Sequence, residues 1–117
     1  MKTRTFGNTD IQVTPVGLGT WAIGGWMWGG TDESESIDTI HAAIDKGISL
    51  VDTAPVYGFG RSEEIVGKAL AGGRREKVAL ATKAALNWDD DENVQRDARA
   101  SRIQQEVEDS LRRLQTD

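Results

Sequence analysis

The sequence predicts an α/β fold: a small N-terminal hairpin followed by three strand–helix units around a parallel sheet. Three observations lead there. Short β-rich apolar runs occur at Val16–Trp21, Ile48–Thr53 and Lys77–Thr82. Their centres lie about 30 residues apart, the size of a βα unit. Each run is followed by a stretch whose apolar residues return with helical period, and glycines close the first two stretches at Gly47 and Gly72-Gly73.

Taken in order, Thr3–Phe6 and Ile11–Thr14 are β-prone and flank the turn signal Gly7-Asn8-Thr9-Asp10, which makes them a hairpin ended by Pro15. Val16–Trp21 is expected to be the first buried strand. Ala22–Thr31, rich in glycine and tryptophan, is a long loop. Asp32 caps the first helix, with Glu35 completing a capping box, and Ile37, Ile40 and Ile44 fall on one face. Ile48–Thr53 is a buried parallel strand bounded by Gly47 and Pro55. Ser62 is the expected cap of the second helix, with Glu63 and Glu64 in its positive first turn and Ile65, Val66, Ala69 and Leu70 facing inward. The third strand is Lys77–Thr82, and Ala84–Arg99 is a polar connection. Ser101 with Gln104 makes a third capping box, and Ile103, Val107, Leu111 and Leu114 continue a helical stripe. No Pro/Gly/Ser linker interrupts the chain, so residues 1–117 carry no internal domain boundary.

Composition excludes several classes. Apolar residues make up 38% of the 117, enough for a modest core. The net charge of -5 argues against nucleic-acid or anionic-membrane partners, because neither surface attracts an acidic protein. Without cysteine there is no disulfide and no thiolate metal site. The start, Met1-Lys2-Thr3-Arg4-Thr5-Phe6, lacks the apolar run of a signal peptide, and no window holds the ~18 apolar residues of a membrane span. A soluble cytoplasmic protein is expected.

Gly17-Leu18-Gly19-Thr20-Trp21-Ala22 matches a dinucleotide-binding glycine pattern, but no helix starts directly after it, so the pyrophosphate would lack its helix N-terminus. It reads better as a strand end that another backbone, or a flat ligand, approaches closely. Asp89-Asp90-Asp91-Glu92-Asn93 fails as a calcium loop, since Val94 and Ala100 stand where Gly and Glu are required. His41, the only histidine, has no second ligand nearby and reads as structural. Trp21, Trp26, Trp28 and Trp88 all lie on strand-to-helix connections, hence at one end of the sheet. They are either loops packing over that end or the wall of an apolar substrate pocket, for which Trp28 and Trp88 are the candidates.

Asp52, Tyr57 and Lys83 form the strongest constellation. Asp52 and Lys83 stand at the carboxyl ends of neighbouring strands, and Tyr57 in the loop between. A cationic lysine beside a phenol favours the phenolate, and a phenol so tuned can give a proton to a carbonyl oxygen as hydride arrives at carbon. Asp52 would neutralise and orient Lys83. Each alone has a plainer reading, as a loop carboxylate, a packed ring and a solvated lysine, yet a lysine at the end of an apolar strand needs a partner. The ends of parallel strands are where such sheets place chemistry.

At these residues the chain resembles the aldo-keto reductases. The stretches that carry the resemblance are Gly47-Ile48-Ser49-Leu50-Val51-Asp52-Thr53-Ala54-Pro55-Val56-Tyr57-Gly58, then Ser62-Glu63-Glu64-Ile65-Val66-Gly67-Lys68-Ala69-Leu70, then Ala81-Thr82-Lys83, with Gly17-Leu18-Gly19-Thr20-Trp21 similar too. The resemblance implies a (β/α)8 TIM barrel whose bottom the hairpin closes. It implies NADPH-dependent reduction of a small aldehyde or ketone to the alcohol, without metal. Asp52, Tyr57 and Lys83 match three of the family's four catalytic residues, with Tyr57 as proton donor. Gly19, Thr20, Trp21 and Asp52 match positions that meet the NADP(H) cofactor. Such a barrel takes typically ~250 residues, and this chain reaches only the third helix. The fourth catalytic residue, a histidine, and most of the cofactor-binding loops belong beyond it. The expectation is therefore the N-terminal portion of a reductase barrel, inactive by itself. The alternatives are a non-catalytic reductase-like subunit and a half-barrel that associates with a copy of itself.

Overall fold

A computed structural model describes all of residues 1–117. The chain opens with an antiparallel hairpin, β1 (Arg4–Thr5) and β2 (Gln12–Val13), about the expected turn. A parallel three-stranded sheet follows in the order β3 (Leu18–Gly19), β4 (Leu50–Asp52), β5 (Ala79–Ala81). Helices α1 (Glu33–Asp45) and α2 (Arg61–Leu70) make the crossovers, and a second hairpin, β6 (Leu86–Trp88) with β7 (Val94–Arg96), precedes α3 (Ala100–Leu114). No helix is long and apolar enough to cross a membrane.

The helices pack on one face of the sheet, and the core lies between. Ile40 and Ile44 of α1, Val51 of β4, Ile65, Val66, Ala69 and Leu70 of α2, and Leu114 of α3 form one buried cluster. Strand alternation turns Val51 inward, while its neighbours Leu50 and Asp52 are half-buried on the opposite face. Thr14 and Ser49 exchange reciprocal backbone-to-hydroxyl bonds of 3.0 and 3.1 Å, which fasten the N-terminal hairpin to the amino end of the sheet. His41 is structural as expected: its Nε2 lies 2.9 Å from the Ala69 carbonyl and ties α1 to α2.

Five local expectations are corrected. The first strand is short, only Leu18–Gly19 being paired, and Val16 is exposed. Asp32 does cap α1, accepting from the Glu35 amide at 2.8 Å. Ser62 does not cap α2, whose cap is Gly60 in a left-handed conformation; the Ser62 side chain is buried and used elsewhere. Ala84–Arg99 is the β6–β7 hairpin rather than an irregular connection. Its acidic run is the turn, where Asp89 Oδ1 accepts from the Asp91 and Asn93 amides, and Glu92 supplies the positive φ. Ser101 lies inside α3, which starts after Arg99. The buried face of α3 is Glu106, Ser110 and Leu114, leaving Val107 and Leu111 exposed. On that face Glu106 Oε2 accepts from the Ala85 amide at 2.9 Å, and the Arg113–Leu114 backbone lies against Gly67 of α2.

Candidate active site

The carboxyl ends of β3, β4 and β5 stand side by side. Gly19 pairs with Asp52, and Asp52 with Ala81. One residue further on, the ladder continues through the Thr20 amide to the Asp52 carbonyl at 3.0 Å and the Thr53 amide to the Ala81 carbonyl at 2.9 Å. Thr20, Thr53 and Thr82 therefore form one row on the side of α2, Thr20 and Thr53 buried and Thr82 exposed, while Asp52 and Lys83 take the other side.

That other side holds the constellation. Lys83 Nζ donates to Asp52 Oδ2 at 2.8 Å and to the Thr53 carbonyl at 2.9 Å, and it lies 5.0 Å from the centroid of the Tyr57 ring. Both partners of the ion pair remain nearly half exposed. Burial works against the charge on Lys83, but its hydrogen bond to Asp52 and the Tyr57 phenol outweigh it, so its pKa lies above the ordinary lysine value. Lys83 is thus an ammonium paired with Asp52.

Tyr57 is aimed by backbone contact. Gly24, at the end of the short 3-10 turn Ala22–Gly24, lies against the Tyr57–Gly58 peptide, and a β-carbon at Gly24 or at Gly58 would overlap the other segment's backbone. Gly58 also adopts φ 67°, which suits glycine. Trp21 stacks on the Tyr57 ring at 6.0 Å between centroids and 21° between planes.

Two adjoining hollows border the ring. One of about 180 Å³ is lined by Ala54, Pro55, Tyr57, Lys83 and Leu86 among others. The other, of about 360 Å³, is wholly apolar, with Trp21, Trp26, Val56, Tyr57, Leu86 and Val94 around it. Trp28 and Trp88, the tryptophans expected at the pocket, line neither hollow; Trp28 stands one ring back and Trp88 two. Trp28 meets the edge of Trp21 at 5.8 Å, and Trp88 packs on Phe59, which in turn meets Trp26. The hairpin residues Leu86 and Val94 were missed because Ala84–Arg99 was read only as a polar connection. The alternation in Leu86-Asn87-Trp88, ahead of the Asp89–Asn93 turn, was the available signal.

Gly19 has open space where a β-carbon would stand, beside Asp52 and close to half-exposed Trp21. That open strand end, with a hydrogen-bonding carboxylate and an aromatic edge beside it, leaves room for a flat ligand. Thr20 is turned away and fully buried; its hydroxyl donates to the Asp52 carbonyl at 3.0 Å.

The threonine row meets the first turn of α2. Ser62 Oγ lies 3.0 Å from the Thr20 carbonyl, 2.8 Å from Thr20 Oγ1 and 3.0 Å from Thr53 Oγ1. Thr82 Oγ1 donates to Glu63 Oε1 at 2.6 Å, and Arg113 Nε of α3 donates to Glu63 Oε2 at 2.6 Å.

Residues 15–117 match the model of the aldo/keto reductase family. The whole chain is 58% identical to the aldo-keto reductase YhdN of Bacillus subtilis and covers 35% of it. It is 43% identical to the NADH-specific methylglyoxal reductase of Escherichia coli, again over the whole chain and 39% of that protein. The chain thus spans little more than a third of the length of these relatives. Among solved structures, a glycerol dehydrogenase of Gluconobacter oxydans superposes with a TM-score of 0.86 at 55% identity, over 97% of this chain and 36% of that one. An aldo-keto reductase of Klebsiella pneumoniae in complex with NADPH superposes with a TM-score of 0.76 at 33% identity, over 99% of this chain and 36% of that one.

Proposed function

Because this chain belongs to the aldo/keto reductase family, with its hairpin and three βα units corresponding to part of a (β/α)8 barrel, we propose that the whole protein reduces aldehydes or ketones to alcohols with NADPH. The bound cofactor would supply hydride to the carbonyl carbon. Tyr57 gives the phenolic proton to the carbonyl oxygen, so that the alcohol leaves neutral. Lys83, held cationic by Asp52, stabilises the phenolate that remains. Asp52 keeps the ammonium at the strand end instead of letting it swing into water. Gly19, Trp21 and Asp52 would hold the nicotinamide end of the cofactor, and Thr20 backs Asp52 from the helix side. Trp28 and Trp88 support the pocket wall from behind.

The observation that carries this proposal is the Lys83 ammonium, 2.8 Å from Asp52 and 5.0 Å from the Tyr57 ring, lining with Tyr57 the smaller of the two hollows. NADPH is preferred over NADH because of the Klebsiella complex, although the E. coli relative is named for NADH. Tyr57→Phe tests the chemistry in the whole protein. It should lower kcat for carbonyl reduction by at least about 100-fold with cofactor binding retained. Full activity in that variant would remove Tyr57 as the acid.

A further inference from the structure

Glu63 is 0% exposed and carries one partner on each oxygen. A buried carboxylate is costly unless it is fully hydrogen-bonded and paired, and here both requirements are met by groups from different elements. Thr82 of the β5 end donates to one oxygen and Arg113 of α3 to the other. Arg113 also lies against the Gly60 turn that follows Tyr57, where a β-carbon on Gly60 would come within 3.0 Å of its Cδ. One carboxylate therefore joins the end of β5, the start of α2 and the end of α3.

Thr82 and Lys83 are consecutive and point to opposite sides of the sheet. A bond that holds the Thr82 side chain to Glu63 restrains the backbone just beyond β5, from which Lys83 departs. Ser62, next in sequence to Glu63, does the same for Thr20 and Thr53 through its own hydroxyl. Ser62 is not needed as a cap, since Gly60 fills that place.

We infer that Glu63 is a positioning residue: by binding Thr82 and Arg113 together it sets the direction in which Lys83 reaches Asp52 and Tyr57. This rests on the proposed carbonyl reduction only for its kinetic consequence; the geometric part stands by itself.

The experiment uses the whole protein with Thr82→Val, Glu63→Ala and Glu63→Gln. The Lys83 side chain is followed by carbon NMR of its titration, and steady-state reduction is measured alongside. Thr82→Val removes only the hydroxyl and keeps the shape, so the fold survives even if Glu63→Ala does not. In Thr82→Val the Lys83 titration midpoint should fall toward that of an ordinary lysine, because the Asp52 bond is no longer held in register. Its kcat should drop about tenfold or more, as expected for misplacement without lost contact, while KM for the carbonyl stays within about twofold. Glu63→Gln keeps an acceptor for Thr82 and should recover most of the Lys83 signal that Glu63→Ala loses. An unchanged Lys83 midpoint and unchanged kcat in folded Thr82→Val would overturn the inference. A shifted midpoint in a protein whose unsubstituted form reduces no carbonyl would support the positioning role and sink the reductase reading instead.

Discussion

Gly19 is the residue at which space, rather than contact, matters. Open volume surrounds its missing β-carbon, and its φ is ordinary. Gly19→Ala should therefore change stability by less than about 0.5 kcal/mol. If the nicotinamide lies there, the same variant should raise the Kd for NADPH about tenfold, or ~1.4 kcal/mol, measured by quenching of the nearby tryptophans. An unchanged Kd would clear Gly19 of any cofactor role. Lys83 makes a pH prediction whose sign follows from its raised pKa. Burial opposes its charge, and Asp52 and then Tyr57 outweigh that opposition. The stabilisation is fully present below the ordinary lysine value of about 10.4 and is lost as pH rises through the higher folded value. Because the pair is nearly half exposed, Asp52→Asn should cost less than about 1 kcal/mol by urea unfolding at neutral pH. The same change should lower the Lys83 midpoint in an NMR titration. Asp52, Tyr57 and Lys83 were legible in the sequence because strand ends can be counted from apolar runs. Glu63 was read only as a first-turn acid, since nothing local announces that its partners are Thr82 and Arg113.

At the scale of elements, two loops are locked by their glycines. Gly24 and the Tyr57–Gly58 peptide are in backbone contact, and Gly24 has no positive φ. Gly24→Ala thus isolates steric overlap from backbone strain. It should destabilise by about 1–3 kcal/mol in urea unfolding; a neutral outcome would mean that the two loops separate freely. The β6–β7 hairpin shows why a polar segment need not be irregular: its turn is built from the carboxylate of Asp89, not from glycine, and Leu86 and Val94 turn toward the hollow beside Tyr57. Between that hairpin and α3, hydrogen bonds from the Arg99 side chain and then its backbone amide hold Asp97 at a pKa of about 2. A depressed acid of this kind adds stability above its ordinary value near 3.9 and loses it as pH falls through the folded one. Carbon NMR should find the Asp97 midpoint near 2, and Arg99→Ala should move it up toward the ordinary carboxylate range. An ordinary midpoint in the unsubstituted protein would mean that the pair does not persist in solution.

Across the whole molecule, helices cover one face of the parallel sheet, and β3 and β5 each have a single strand neighbour. Val107 and Leu111 on α3, with Val16 and Trp21 near the sheet, are exposed. Unpaired strand edges and exposed large apolar side chains promote association. The 117 residues expressed alone should therefore sediment as species heavier than 12.8 kDa, and a compact monomer would refute this. The sequence by itself determined the α/β class, the order of the parallel units, the buried faces of α1 and α2, and the Asp52–Tyr57–Lys83 constellation. Each of these is written in short-range periodicity or in residues at strand ends. Only the tertiary structure decided that Ser62 and Glu63 clamp the strand ends, that Glu106 and Ser110 lie on the buried face of α3, and that Trp21 and Trp26, with Leu86 and Val94, line the apolar hollow. Those choices depend on partners far apart along the chain: Ser62 and Thr20 are separated by 42 residues, and Glu63 and Arg113 by 50. Local pattern carries no trace of a bond formed only once helix and sheet have packed.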